Sequence, residues 1–442
     1  VVNWAGSRTG GDAYIPLSQS IQCQADGGDD YGGWAEGYYV IDPYSLGNTW
    51  KHYYSVGGNN LQLAIKNAQE ATPVNHNGIA QCKIILAQHI YETTMIWGDI
   101  PFTEAWIEGV KYPKFDSQEV VLNGVVSLLD EALNEINLDD PLAITDYDIF
   151  YKGDMQKWIR LAKSLKFRTL MTMVDKDPTK AEQIGKLISD GGMISSDDNL
   201  QFPYLQTAGN ENPKYKILEK YTNGINIMFF ANNNVLKPMQ ERNDSRISRY
   251  FEPGADGVYR GLDTRQAAEE TDDENADLLS SVISKYLFRK EAPELIYSYQ
   301  EQLFFEAEAY VRGLGVTSNL VKANELYKKA IQTACDYYEA DPVKTTEFID
   351  ALDDLNTLEP DRALYEIHIQ QWIDLMDRPL EEFVQWRRSG SNGNEVPVLT
   401  VPTEATSREL IRRWEYSPEE MTANPNAPKE SPKIWEKMWF DL

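Results

Sequence analysis

Long amphipathic helical segments that occur in pairs are the feature that most constrains the fold of this chain. The paired segments are residues 80–97 with 117–136, 154–175 with 178–190, and 295–313 with 319–339. In the last pair, Ala307 and Ala309 allow the two helices to approach closely, and Gly313 breaks the chain between them. A helix, a break and a returning helix are typical of tetratricopeptide-type units, although no strict 34-residue period holds here. The sequence therefore predicts a mainly α-helical scaffold of helix pairs.

Two long stretches lack this helical rhythm. Residues 1–58 and 191–290 are rich in glycine, asparagine and aspartate. The first precedes the predicted helical scaffold, and the second separates its two parts, at about 60–190 and 294–390. Irregular segments laid over a rigid frame are more often functional surfaces than filler. We therefore expect one domain spanning residues 1–442, with its ligand side formed by the two loop-rich insertions.

Charge and hydropathy exclude several classes of function. The chain has 42 basic and 69 acidic residues, a net charge of −27, which opposes binding to nucleic acid or to anionic lipid. No apolar run reaches the roughly 18 residues of a membrane helix. We expect neither a nucleic-acid partner nor a membrane-spanning segment.

Cysteine and histidine usage argues against a metal or cofactor. The three cysteines, which are far apart and show no CxxC spacing, are Cys23, Cys82 and Cys335, and we expect them to be buried as small apolar side chains. Asp26, Asp29 and Asp30 lack the spacing and closing glutamate of a calcium loop. The sequence predicts no bound metal and no cofactor.

Aromatic residues are in surplus, with 11 tryptophans and 25 tyrosines. Four of them lie in the glycine-rich stretch 25–39, together with Asp29: Tyr31, Trp34, Tyr38 and Tyr39. The C–H faces of a sugar stack on aromatic rings, and its hydroxyls need polar partners. This stretch is therefore the first candidate ligand site, although its rings could instead clamp the loop to the scaffold.

The second candidate lies in the central insertion. It contains Asn233, Tyr259 and Arg260, a mixture of aromatic and polar side chains that also suits a sugar. The alternative is that Asn233 and its neighbours Asn232 and Asn234 are ordinary turn residues. Asp244 and Arg246 nearby are expected to form a structural pair, and Arg387 and Arg388 are expected to be structural as well.

The stretch "WGDIPFTEAW" at 97–106 poses the question of catalysis. Asp99 and Glu104 between two tryptophans could form the carboxylate pair of an α-helical glycosidase. With 69 acidic residues in the chain, however, such a pair carries little information, and no hydrolase, metalloprotease or nucleotide-binding motif is present in a usable context. Gly98 is predicted to cap the preceding helix and Pro101 to turn the chain. We interpret the stretch as structural and the protein as a binder rather than an enzyme.

Five segments, in order along residues 60–440, resemble one known family. "MIWGDIPFTEAW" resembles the "YGDVPYTEA" signature of SusD/RagB outer-membrane lipoproteins, and "IRLAKSLKFRTLMTMVD" and "LFFEAEAYVRG" resemble its "AKALRLRLAL" and "LLRAEAYLRLG" helices. "FVQWRRSG" and "RRWEYSPEEMTANPNA" are similar to its closing "WRRTGYP" and "RRFPYPQSEYNLNPNN" segments. Each match is short, but five in the same order identify the chain as a member of that family.

The resemblance carries specific implications. It implies a tetratricopeptide-like fold, a position at the cell surface of a Bacteroidetes-type bacterium, and capture of oligosaccharides for a SusC-like TonB-dependent transporter. In some members the ligand is a peptide, which stays an alternative, as does a helical glycoside hydrolase. The family begins with a lipidated cysteine, so the resemblance implies a lipid anchor upstream of Val1 as the link to the outer membrane.

Overall fold

The computed structural model describes residues 2–10, 13–26, 37, 39, 41, 44, 46–263, 279–402, 405 and 407–442. Most of these residues are helical. The α-helices are α1 Val2–Thr9, α2 Tyr14–Ser20, α3 Gly47–Lys51, α4 Asn59–Glu70, α5 His76–Trp97, α6 Gln118–Glu135, α7 Met155–Met173, α8 Lys180–Asp190, α9 Pro213–Thr222, α10 Asn233–Glu241, α11 Ile247–Tyr250, α12 Tyr299–Arg312, α13 Leu320–Tyr337, α14 Pro342–Ala351, α15 Pro360–Leu375, α16 Pro379–Arg388 and α17 Pro418–Ala423. The strands are β1 Gln24–Asp26, β2 Ile100–Pro101, β3 Phe115–Asp116, β4 Leu200–Phe202, β5 Phe229–Ala231, β6 Phe251–Glu252, β7 Val282–Ile283 and β8 Glu294–Tyr297.

The three helix pairs expected from the sequence are present. Helix α5 packs against α6, α7 against α8, and α12 against α13. The mainly helical fold with tetratricopeptide-like pairs is thus confirmed. The last pair, with α14 and α15, encloses its own apolar cluster, which includes Phe304, Tyr327 and Phe348.

Local signals set the ends of these helices. The Asp154 carboxylate accepts hydrogen bonds from the backbone N–H groups of Gln156 and Lys157 at 3.0 and 3.2 Å, which makes Asp154 the N-cap of α7. Gly98 ends α5 with a φ of 78°, and Gly313 ends α12 with a φ of 70°. Both angles are costly for residues with a Cβ, so glycine fixes where each helix stops.

One contact between helix pairs depends on two glycines. Gly185 of α8 lies so close to Gly315, in the turn after α12, that a Cβ on Gly185 would be 2.0 Å from the Gly315 carbonyl oxygen. No side-chain rearrangement can relieve such a contact, because the Gly315 oxygen belongs to the backbone and the position of a Cβ is fixed by the backbone that carries it. The second and third helix pairs therefore meet through bare backbone.

The stretch "WGDIPFTEAW" is structural, as we interpreted it. Asp99 Oδ1 accepts the backbone N–H of Gln118 at 2.8 Å, at the first residue of α6. Glu104 Oε2 accepts the backbone N–H of Lys114 at 3.0 Å. Both carboxylates thus hold the β2–β3 connection, and Trp97 is buried in the core.

The irregular segments contain more regular structure than the sequence indicates. Residues 1–58, expected to be loop-rich, include α1, α2 and α3, and a π-helical turn, His52–Gly58, joins α3 to α4. Residues 191–290 include α9, α10 and α11. The short helices α1 and α2 are stabilised by burial of residues such as Trp4 and Tyr14 rather than by a long amphipathic pattern.

A small antiparallel sheet ties the two irregular segments together. Its strand order is β1-β5-β7-β6, so a strand of the first segment pairs with strands of the central one. Gln24 lies opposite Ala231, and Asp26 lies opposite Phe229. Two stretches more than 200 residues apart are therefore joined by backbone pairing.

A buried ionic cluster links the first segment to the scaffold. The Arg8 guanidinium contacts the carboxylates of Glu92 at 2.6 Å and of Glu294 and Glu381 at 2.9 Å each. All four side chains are less than a tenth exposed. One arginine of α1 thereby connects α5, β8 and α16.

Arg246, Arg387 and Arg388, which were predicted to be structural, also form buried contacts within the protein. Arg246 binds Asp244 through two hydrogen bonds of 2.6 and 3.0 Å, with both side chains fully buried. Arg388 binds Glu308 through two bonds of 2.7 and 2.8 Å. Arg387 is buried and donates to backbone carbonyls. The structural roles predicted for these residues are confirmed.

Candidate functional site

Most of the first predicted ligand stretch lies outside the described residues. Tyr31, Trp34, Tyr38 and Asp29 belong to that part. Tyr39 is described and is only 1% exposed, so its ring packs in the core instead of facing solvent. Burial raises the pKa of its hydroxyl. Tyr39 therefore serves as an anchor of this stretch and offers no open face for stacking.

Gln22 connects Tyr39 to two distant parts of the chain. Its side-chain Nε2 donates to the Tyr39 hydroxyl at 3.4 Å and to the backbone carbonyl of Thr400 at 2.6 Å. Its Oε1 accepts from Asn234 Nδ2 at 3.2 Å. The first irregular segment, the start of α10 and the C-terminal region consequently meet at one buried amide.

Asn233 is placed beside this meeting point. Its backbone N–H donates to the Leu262 carbonyl at 2.9 Å, and its Nδ2 donates to Asp263 Oδ1 at 2.7 Å. Gly261 lies against it, since a Cβ there would be 2.7 Å from Asn233 Oδ1. The segment 256–263 is thereby held along the first turn of α10.

Tyr259 and Arg260 lie on that segment. The Tyr259 ring is half-buried, and partial burial, reinforced by the nearby Glu252 charge, raises the pKa of its hydroxyl. Arg260 is exposed and holds Asp256 through two hydrogen bonds of 2.9 and 2.7 Å, which lower the pKa of that carboxyl. Arg260 therefore presents a guanidinium at the surface with its orientation fixed by Asp256.

We call Gln22, Tyr39, residues 232–234 and residues 256–263 the loop junction. It brings together Asn233, Tyr259 and Arg260, three of the residues singled out in the sequence, and joins them through Asn234 to Tyr39. Gln22 was not among those residues, because nothing in its sequence neighbourhood signals a contact with residues more than 200 positions away.

A cavity of about 520 Å³ opens beside Tyr259. It lies between the α10–α11 region and α14, and its polar lining includes Asn243, Ser248, Lys344 and Glu347. Apolar residues such as Phe348 line it too, and an aromatic ring in a wall of mixed polarity is suited to a ligand with an apolar face and many hydroxyls. Lys344 and Glu347 could not be recognised as lining residues from the sequence, because they belong to an ordinary amphipathic helix.

The described residues form no metal site, no disulfide and no membrane-spanning helix. Within the described ranges, no three histidine, cysteine, aspartate or glutamate side chains are arranged to hold a metal ion. The three cysteines are buried and free, as expected. In the same part of the chain, no helix is both long and apolar enough to cross a bilayer.

The structure is thus a helix-repeat scaffold whose two irregular segments are joined at the loop junction, with a cavity beside Tyr259. The family model described as SusD-like, "starch-binding associating with outer membrane", matches residues 19–417, about nine-tenths of the chain. The chain belongs to this SusD-like family. No match was found among curated proteins.

Solved structures of other proteins have the same fold as this chain. A chitin-binding protein superimposes with a TM-score of 0.82 at 22% identity, covering 100% of both chains. A SusD homolog from Bacteroides fragilis NCTC 9343 has a TM-score of 0.79 at 20% identity, covering 99% of this chain and 98% of its own. A chitin-binding SusD homolog from Flavobacterium johnsoniae has a TM-score of 0.75 at 18% identity, covering 99% and 95%. At such identities the likeness establishes the fold.

Proposed function

We propose that this protein binds an oligosaccharide at the loop junction and the adjoining cavity, without covalent chemistry. The observation that carries the proposal is the half-buried Tyr259 ring in the wall of a cavity of about 520 Å³ that has both polar and apolar lining. Membership of a family described as starch-binding supports the same ligand class.

The chemistry of the loop junction suits a neutral sugar chain. The Tyr259 ring offers a stacking surface, while Arg260 and Asn233 offer donors and acceptors for hydroxyl groups. Asp256 balances the charge of Arg260 at 2.7 Å, so the pair adds no net charge to the surface. Such a surface favours an uncharged, polyhydroxylated ligand over an anion.

The first irregular segment completes the proposed site. Gln22 is hydrogen bonded to Tyr39 and to Asn234, and these contacts support a role of the first irregular segment at the site. We propose that Tyr31, Trp34, Tyr38 and Asp29 supply further aromatic and polar contacts, whereas Tyr39 holds the segment in place from within the core.

Delivery to a membrane transporter is the second part of the proposal. We propose that the protein passes its ligand to a SusC-like TonB-dependent transporter at the cell surface, held there by a lipid anchor upstream of Val1. Association of the family with the outer membrane supports this location. Co-purification of a TonB-dependent transporter with the natively anchored protein is the expected result, and its absence would contradict this part.

Calorimetric titration tests the binding proposal. Maltoheptaose and chitohexaose are the probes, since the family and two of the similar structures are named for starch and chitin. We expect one of them to bind with a Kd of roughly 10 µM to 1 mM, about −4 to −7 kcal/mol. Tyr259→Ala and Trp34→Ala should each weaken binding at least fivefold, whereas the matched control Tyr147→Ala, at a 90% exposed tyrosine elsewhere, should not.

Three other results would overturn the proposal. Tight binding of a peptide library with no glycan binding would assign the protein to the peptide-binding alternative. Release of shorter sugars from either probe by pure protein would favour a glycoside hydrolase. Equal loss of affinity in Tyr147→Ala and Tyr259→Ala would remove the loop junction from the site.

A further inference from the structure

A second cavity, of about 160 Å³, lies where strand β8 meets the end of α13 and the start of α16. Its wall contains the rings of Tyr286, Tyr337 and Tyr338. One buried water needs only about 10–15 Å³, so the cavity has room for a much larger guest. Tyr286 and Tyr337 are half-buried and Tyr338 is buried, which gives the guest an aromatic wall.

Two arginines of the wall differ in how their donors are used. Arg378, with a side chain 2% exposed, binds Glu301 at 2.8 Å and Asp374 at 2.6 Å, and its Nε is itself fully buried, so Arg378 gives the wall a fixed positive charge rather than a donor to a guest. Arg289 stacks on Tyr286 with its guanidinium carbon 4.2 Å from the ring centre. The ion pair of Arg289 with a carboxylate in the described part of the chain is a long one, 3.9 Å from Glu291.

Acceptors stand beside these donors. Glu339 lines the cavity and is 68% exposed, and its carboxylate forms an ion pair of 3.7 Å with Arg249. Asp377 lines it as well, with its two oxygens held by Tyr14 and Lys214 at 2.6 Å each. Carboxylates of this kind would repel an anion, and the guanidinium groups would repel a cation. The lining therefore selects an uncharged ligand that both donates and accepts hydrogen bonds.

We propose that this cavity binds one neutral sugar unit, at a site separate from the loop junction. The tyrosine wall packs on the C–H face of the sugar ring. Arg289 donates to its oxygens, while the Glu339 carboxylate accepts from its hydroxyls. The short helix α11 lies between the two sites, since Ile247 and Ser248 line the first cavity and Arg249 lies over Tyr286 at 4.8 Å.

This inference goes beyond the proposed function and rests on it only for the class of ligand. A second sugar site on the same molecule would let one oligosaccharide chain bridge two contacts or let two chains bind. Either arrangement raises the capture of a long glycan without any change in the first site.

Saturation-transfer NMR titrations with D-glucose and N-acetyl-D-glucosamine test the cavity. They are made in a Trp34→Ala, Tyr259→Ala background, which removes two proposed aromatic contacts at the loop junction, so that residual binding that depends on Arg289 reports the cavity. We expect saturable binding that Arg289→Ala weakens at least fivefold. The matched control is Arg362→Ala, because Arg362 also stacks on a tyrosine, Tyr365, with its guanidinium carbon 4.6 Å from the ring centre, but lies outside the cavity.

Glu339→Gly is the second variant. Glu339 has a left-handed backbone with a φ of 55°, which glycine adopts without strain, so the fold is retained while the carboxylate is lost. We expect at least fivefold weaker binding in this variant too. Absence of neutral-sugar binding, tighter binding of D-glucuronate or D-glucosamine than of D-glucose, or indifference to both variants would overturn the inference.

The outcomes separate the two proposals. Oligosaccharide binding that depends on Tyr259 but not on Arg289 or Glu339 would overturn the cavity and leave the proposed function intact. Monosaccharide binding that depends on Arg289 and Glu339, with oligosaccharide binding indifferent to Tyr259 and Trp34, would support the cavity and overturn the loop junction.

Discussion

Gln22 and Tyr39 both have left-handed backbone conformations, with φ angles of 58° and 57°, and their side chains are hydrogen bonded at 3.4 Å. For residues with a Cβ, each such conformation costs on the order of 1–3 kcal/mol. The same Gln22 amide also binds Thr400 and Asn234. Two strained residues are thus retained where three distant segments meet, beside the proposed ligand site.

Removing the Gln22 side chain should loosen the loop junction. Gln22→Ala leaves buried polar atoms of Tyr39 and Asn234 without this partner, so we expect unfolding in urea to become easier by about 1–3 kcal/mol. Oligosaccharide affinity should fall as well. Gln332→Ala, which removes an exposed bond to Asp336, should change stability by less than about 0.5 kcal/mol. Equal effects in the two variants would contradict the role given to Gln22.

The Arg8 cluster should be far more sensitive than a surface ion pair. Arg8→Met leaves three buried carboxylates without their shared cation, and breaking a buried pair costs about 3–5 kcal/mol. Lys51→Met is the control, because Lys51 contacts Glu419 at 2.9 Å with both side chains half exposed, where a pair contributes at most about 1 kcal/mol. Urea unfolding measures the unfolding free energy of both variants. A loss of stability in Arg8→Met as small as that in Lys51→Met would contradict the role given to the Arg8 cluster.

Glu294 should make stability depend on pH. Burial raises the pKa of this carboxyl from 4.5 to about 7, in spite of the opposing charge of Arg8. The folded state therefore holds the Glu294 proton more tightly than the unfolded state does. The stability that this gives is fully present below pH 4.5 and is lost as the pH rises through 7.

Glu294→Gln removes that titration and keeps an amide beside Arg8. The unfolding free energy of the variant minus that of the wild type should therefore rise between pH 5 and pH 8, by roughly 1–3 kcal/mol. Urea unfolding at the two pH values is the measurement. A difference that stays constant would show that Glu294 is already ionised at pH 5.

The contact between Gly185 and Gly315 predicts a sharp contrast between two glycines. Gly185→Ala would force α8 away from the turn after α12, at a cost of about 1–3 kcal/mol or more. Gly6→Ala, in α1, meets nothing within 4 Å, so it should stabilise by about 0.5–1 kcal/mol through helix propensity. Thermal unfolding compares the stabilities of the two variants. An unchanged stability of Gly185→Ala would contradict the close contact between Gly185 and Gly315.

The scaffold could be predicted because its signals are local. Helices such as α5, α7 and α12 show long apolar stripes, and Asp154, Gly98 and Gly313 mark their ends through capping and left-handed turns. Periodicity over 14 or more residues and capping chemistry depend only on neighbours in sequence. The structural interpretation of Asp99 could be reached in the same way.

The loop junction could be predicted only in part, because its geometry depends on long-range contacts. Asn233, Tyr259 and Arg260 stood out by residue type, and the structure brings them together. Tyr39 stood out on the same grounds, yet it is buried, since composition does not tell which of several neighbouring rings turns inward. Gln22 carries no local signal at all, because its partners are 17, 212 and 378 residues away.

The most direct test of the central claim is a crystal structure of the protein with the oligosaccharide that binds in the titrations. We predict that sugar rings lie against the Tyr259 ring and within hydrogen-bond distance of Arg260 or Asn233, and that at least one of Asp29, Tyr31, Trp34 and Tyr38 contacts the same ligand. An oligosaccharide bound away from Tyr259, with no contact to either irregular segment, would contradict the account.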